Sequence, residues 1–206
     1  QLCAACKTHP PAAIALSAGL PIDLFGENHV QELCANYEAG AYCGKPVHFI
    51  GHLQTNKIKK VLGKASLIQS VDSPRLLAAL EKEASKLDMI QDILLEVNIG
   101  EEASKTGVSP EELWALLDEA AAQPHLRVRG LMAIPPVNAD DSENRALLRQ
   151  VYGLFVRAGE RGYENARMDT LSMGMSGDYE NAIREGATIV RIGTAIYGAR
   201  DYGPKA

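Results

Sequence analysis

Short apolar runs alternate along the chain with longer stretches in which apolar positions recur every three or four residues, and the alternation persists from end to end. The strand-like runs fall at residues 2–6, 24–26, 47–50, 67–70, 93–97, 128–132, 170–172 and 189–192. Eight parallel strands, each followed by a helix, are the number that closes a barrel. The expected fold is therefore α/β, a single (β/α)8 TIM-type barrel spanning residues 1–206. Its first strand opens at the first residue, so the barrel is expected to lack a leading helix beneath it.

Helix starts are marked by capping chemistry. Ser109, Pro110 and Glu112 offer an N-cap hydroxyl, a proline at the first helical position and a capping-box carboxylate, and Ser73-Pro74 repeats the opening. After it, Leu76, Leu77, Leu80, Ala84 and Leu87 form an apolar stripe, with Glu81, Lys82, Glu83 and Lys86 on the opposite face. Lys57, Lys60 and Lys64 share a predicted helix face, read as a solvated basic surface and not as a phosphate site. Residues 134–142 (IPPVNADDS) form the longest irregular stretch, a loop expected above the barrel.

A formal net charge of -5 lacks the basic excess that sequence-independent nucleic-acid binding requires. No run is long and apolar enough to cross a bilayer, and the first residues carry no basic region followed by a long apolar stretch. The expectation is a cytoplasmic chain with neither nucleic-acid nor membrane partners. Cys3, Cys6, Cys34 and Cys43 invite a metal or disulfide reading. Cys3 and Cys6, three apart in a strand, point to opposite faces, and no second closely spaced pair completes a zinc site, so they are read as packing residues.

In such barrels the chemistry gathers at the C-terminal ends of the strands. Lys7 closes the first strand, on the same face as Cys3 and Ala5, where its amine could form an imine with a carbonyl ligand. The segment 172–176 (SMGMS) follows the seventh strand and Gly193-Thr194 follows the eighth, the usual phosphate loops of this fold, although glycine and serine are also ordinary turn residues. Arg191 shares the face of Gly193; inside the barrel it needs either an acidic side chain or a ligand's ring nitrogen as a partner. Together, an imine-forming lysine, a phosphate cradle and an arginine between them match the three attachment points of pyridoxal 5'-phosphate.

At these residues the chain resembles the pyridoxal phosphate homeostasis proteins, barrels related in fold to the first domain of alanine racemase. The resemblance is carried by residues 6–10 (CKTHP), 25–32 (FGENHVQE), 48–57 (HFIGHLQTNK), 171–176 (LSMGMS) and 190–200 (VRIGTAIYGAR), so it runs essentially end to end. It implies that Lys7 carries the cofactor as a Schiff base, that Arg191 faces its ring nitrogen, and that Ser172, Gly193 and Thr194 hold its phosphate. Met173 and Gly174 would shape the same loop. Asn28 is a polar contact to the cofactor or a cap of the next helix. His48 is a lesser candidate, and Lys105 matches a segment suggested to hold cofactor secondarily, or is an exposed loop lysine.

Cys6 stands where the family commonly has serine and His9 where it has lysine, and the family's leading helix is expected to be absent. The resemblance implies a monomer that stores pyridoxal phosphate and hands it to apo-enzymes, without robust turnover. An arginine at the ring nitrogen leaves the pyridine a poorer electron sink than a carboxylate would, and with few residues after the eighth strand a second catalytic domain is not expected. The alternative is a slow amino-acid racemase using the same cofactor.

Overall fold

The computed structural model describes residues 1–100, 102, 106–136 and 140–198; Lys105 and the segment from 199 onward lie outside them. Eight strands alternate with helices. They are β1 (Leu2–Ala5), α1 (Pro11–Ser17), β2 (Leu24–Glu27), α2 (Val30–Glu38), β3 (Val47–Phe49), α3 (Ile58–Val61), β4 (Leu67–Val71), α4 (Pro74–Lys86) and β5 (Gln91–Val97). They continue with α5 (Leu113–Ala121), β6 (Leu126–Ala133), α6 (Asp141–Glu160), β7 (Ala166–Ser172), α7 (Tyr179–Arg184), β8 (Val190–Ile192) and α8 (Thr194–Tyr197).

The strands are parallel, in the order β7-β6-β5-β4-β3-β2-β1-β8. The remaining seam is a narrow one: Ser172 bridges to Ile189, the Met173 N–H donates to the Ile189 carbonyl at 3.1 Å, and the Arg191 N–H donates to the Gly174 carbonyl at 2.9 Å. The result is the TIM-type barrel expected from the alternation.

Both faces of most strands are covered, which explains why they read as short continuous apolar runs; β7 is the clearest exception, with Arg167 and Asp169 exposed in its first half. Outward residues such as Phe25, Ile68, Ile93 and Leu131 meet the helices through Ile14, Leu33, Leu77, Leu117 and Val151 in the main core. Inward residues form two small layers, Cys3 with Leu24 and Ile189, and Leu67 with Leu94 and Met132. Cys3 and Cys6 accordingly pack on opposite sides of the first strand, Cys3 inside the barrel and Cys6 in the outer core.

At the N-terminal ends of β5, β6 and β7 the barrel floor carries linked ion pairs. Asp92 receives Arg127 at 2.6 Å and Arg129 at 2.7 Å, and Arg129 also reaches Asp169 at 2.8 Å.

Capping chemistry sets α4 as the sequence predicts: Ser73 Oγ accepts the Leu76 N–H, and Leu76, Leu77, Leu80 and Ala84 are buried. Leu87 departs from its stripe and is exposed, because it is the C-cap and lies past the last helical turn. The Ser109–Glu112 capping box forms in both directions, at 3.0 and 3.2 Å. Residues 110–112 nevertheless make a turn, and α5 begins only at Leu113. The predicted helix under Lys57, Lys60 and Lys64 is a 3-10 turn followed by the single-turn α3, ended by Gly63 at φ +77°, so the three lysines share no continuous helix face.

Candidate functional site

β1 ends at Ala5, and Lys7 enters a tight turn above it in which the His9 N–H donates to the Cys6 carbonyl at 3.0 Å. Thr8 adopts φ +71°, a left-handed conformation uncommon for a β-branched residue. Two contacts hold it: its N–H donates to Glu32 Oε2 at 3.3 Å, and its Oγ1 donates to the Lys7 carbonyl at 2.6 Å. His9, on the outer side of the turn, stacks on Tyr197 with ring centroids 4.4 Å apart. The lysine is thus fixed at its backbone, with its side chain half-buried.

Lys7 lines an open pocket of about 260 Å³ at the barrel mouth, together with Asn28, Arg191, Gly193, Thr194 and Ser176, and with Ile50 and Ile134 as its apolar walls. Five of the eight residues picked out in the sequence therefore meet in one cavity. Asn28 does not cap α2; the N-cap there is His29, without a side-chain hydrogen bond, and Asn28 faces the pocket. Its backbone is pressed against Gly51, where any side chain would collide with the Asn28 carbonyl. Gly193 and Thr194 open the single-turn α8, whose first N–H groups have no intrahelical acceptor. The Gly193 N–H meets Ser176 Oγ at 3.4 Å.

The other three take different places. Ser172 is fully buried beneath the pocket, and Met173 turns outward into the main core. Gly174 has φ +91° and sits where a Cβ would strike Ala182, which brings its carbonyl to the Arg191 N–H. The pocket side of this loop is made by Met175, Ser176 and Gly177 instead. Ser176 was within the recognised segment, but without the three-dimensional turn nothing distinguishes it from Ser172.

Arg191 is 4 % exposed. Its Nη1 donates to Ser172 Oγ at 2.6 Å and its Nη2 to the Ala133 carbonyl at 3.0 Å, both neutral acceptors. Among the described residues no carboxylate forms an ion pair with it. Burial pulls its pKa down, and the more distant charges of Glu96 and Asp178 act in the opposite sense. A buried guanidinium with only neutral protein partners, facing an open pocket, suits a ligand that presents an acceptor. His48 is also inside the barrel, and burial holds its pKa down to about 4, so it is the neutral imidazole.

This barrel is that of the alanine racemase N-terminal domain, whose family model matches residues 1–201. Among curated relatives, the pyridoxal phosphate homeostasis protein of Aquifex aeolicus is 44 % identical over 98 % of this chain and 88 % of its own length. That of Pseudomonas aeruginosa is 40 % identical over 100 % of this chain and 86 % of its own length. The chain belongs to the family of pyridoxal phosphate homeostasis proteins.

Solved structures agree. PipY of Synechococcus elongatus with pyridoxal phosphate bound superposes with a TM-score of 0.85 at 34 % identity, covering 96 % of this chain and 92 % of PipY. Alanine racemase of Clostridium difficile, at 14 % identity and a TM-score of 0.77 over 100 % of this chain and 52 % of its own, shares the fold.

Proposed function

We propose that this chain binds pyridoxal 5'-phosphate in the pocket at the barrel mouth, buffers it, and releases it to apo-enzymes. The observation that carries the reading is the convergence of a primary amine, a buried arginine without a carboxylate partner, and the hydroxyl and N–H donors of one loop and one helix start on a single cavity. Bound there, the group supplies an aldehyde carbon, a ring nitrogen and a phosphate. Lys7 provides the amine for the first, Arg191 a donor for the second, and Ser176, Gly193 and Thr194 donors for the third. Ser172 and Met173 act from behind, Ser172 through Arg191 and Met173 through packing, while Gly174 allows the loop its path. Asn28 is a further polar contact at the rim. The PipY structure with this ligand bound supports the reading.

Carriage is favoured over turnover by what surrounds the pocket. Among the described residues that line it, Lys7 is the only amine, and no carboxylate or imidazole stands opposite it to act as a second base. Racemisation at an α-carbon needs a base on each side. The names of the relatives point the same way. This reading makes the protein a monomeric cytoplasmic carrier. Loaded protein mixed with an apo-enzyme that depends on the cofactor is expected to restore that enzyme's activity. No release would count against the carrier reading, and saturable proton exchange at the α-carbon of free amino acids that is abolished by Lys7→Ala would replace it with an enzymatic one.

A further inference from the structure

Arg191 is held from inside the barrel by a chain of hydrogen bonds that crosses four strands. A guanidinium has only donors, so Ser172 Oγ accepts from Arg191 Nη1, at 2.6 Å, and the one hydroxyl proton must go elsewhere. It goes to Gln69 Oε1, also at 2.6 Å. That commits the amide oxygen of Gln69 to Ser172 and turns its Nε2 toward His48 Nδ1, 2.8 Å away, which accepts only as an imidazole protonated on its other nitrogen. Each link thus fixes the donor sense of the next. Gln69 and Ser172 are 0 % exposed, Arg191 4 % and His48 8 %, so the network is shielded from bulk solvent.

Gln69 is on β4 and does not line the pocket. An apolar barrel interior has no need of a glutamine at this height, where Leu67 and Leu94 fill the layer below. We propose that Gln69 is the positioning residue of Arg191: by accepting the Ser172 proton it keeps the serine oxygen turned to the guanidinium and so holds the cation toward the pocket. The inference rests on the pyridoxal phosphate reading of that pocket and assigns a residue outside it to the affinity of the site. Without the acceptor, the Ser172 hydroxyl rotates in search of another partner, and the guanidinium loses its fixed anchor.

The test is a visible-absorbance titration of pyridoxal phosphate into the wild type, Gln69→Met, Ser172→Ala, Arg191→Lys and their pairwise combinations, with the urea midpoint of each apo form measured in parallel. Gln69→Met keeps the volume and removes the acceptor. It is expected to weaken binding about tenfold, the weight of one hydrogen bond to a charged group. Ser172→Ala should do the same, and the double variant should lose no more than the larger single loss. In the Arg191→Lys background, Gln69→Met should change affinity by less than about twofold while still shifting the urea midpoint. Gln69→Glu, which retains an oxygen for Ser172 and whose second oxygen can accept from His48 once the imidazole carries its proton on Nδ1, should recover most of the affinity.

Wild-type affinity in Gln69→Met, or an undiminished tenfold loss in the Arg191→Lys background, would overturn the positioning role. If Gln69→Met does not fold, Gln69→Leu carries the same comparison with the same expectations. Failure of the wild type itself to bind at Lys7 would sink the cofactor reading, and the positioning role with it. Binding by the wild type with unaltered variants sinks the positioning role alone.

Discussion

The Thr8 N–H donates to Glu32 Oε2 across 3.3 Å, so the first turn of α2 holds the left-handed residue that directly follows Lys7. A β-branched residue at φ +71° stores conformational energy, and such strain persists only where the surroundings impose it. Here the imposing contact also fixes the backbone from which the lysine amine rises.

The first prediction is a reversal of the usual ranking of small residues at this turn. Alanine pays the left-handed penalty and glycine does not, so Thr8→Gly should be more stable than Thr8→Ala by about 1 kcal/mol in urea unfolding. Equal stability of the two would show that the turn relaxes when the threonine is removed.

Gly174 gives a harsher test of the same principle. Its φ of +91° and the contact that a Cβ would make with Ala182 combine backbone strain with overpacking. Gly174→Ala should cost about 2–4 kcal/mol and disturb the carbonyl that accepts the Arg191 N–H. Chemical denaturation together with cofactor titration checks both effects.

His48 makes stability depend on acidity. Burial lowers its pKa from 6.5 to about 4 in the folded protein, so between these values the unfolded chain binds more protons than the folded one. Stability from this group is therefore fully present above about pH 6.5 and is lost as the pH falls toward 4. Burial pushes Glu27 and Glu96 upward, and their contributions run the opposite way, lost as the pH rises through their folded values. The comparison must accordingly be a difference. The stability of wild type minus that of His48→Gln should rise by a few kcal/mol between pH 4 and 6.5, at about 1.4 kcal/mol per pH unit at most. A flat difference would mean that His48 titrates normally.

The ion pairs on the barrel floor predict a modest, salt-dependent effect. Arg127 and Arg129 are 45 % and 30 % exposed in their side chains, so solvent screens their attraction to Asp92. Asp92→Asn should lower stability by about 1 kcal/mol at low ionic strength and by less at high salt. Thermal unfolding at two salt concentrations resolves it.

Strand positions were legible because most strands are covered on both faces and so read as apolar runs; all eight were found, with ends displaced by a residue or a few, the most at β7, whose first half is partly exposed and polar. The helix beneath Lys57 and Lys64 was not, since its lysine spacing fits a helix while Gly63 and the preceding 3-10 turn break it. For the site, alternation placed Lys7 and Arg191 correctly on the inward face, and Gly193 and Thr194 followed from the strand end. Ser172 was found for its sequence neighbourhood, yet it faces Gln69 and Arg191 instead of the cavity. Gln69 itself was missed. Its only signal was a polar pair with Ser70 inside an otherwise apolar strand, and its partners lie 21 and 103 positions away in the chain.

The central claim is that Lys7 receives pyridoxal phosphate at the barrel mouth. Borohydride reduction of the protein incubated with stoichiometric pyridoxal phosphate, followed by peptide mass mapping, tests it directly. The account predicts a single reduced adduct on Lys7, abolished in Lys7→Ala and weakened in Arg191→Lys. Label scattered over the exposed lysines, with Lys7 no more modified than the rest, would contradict it.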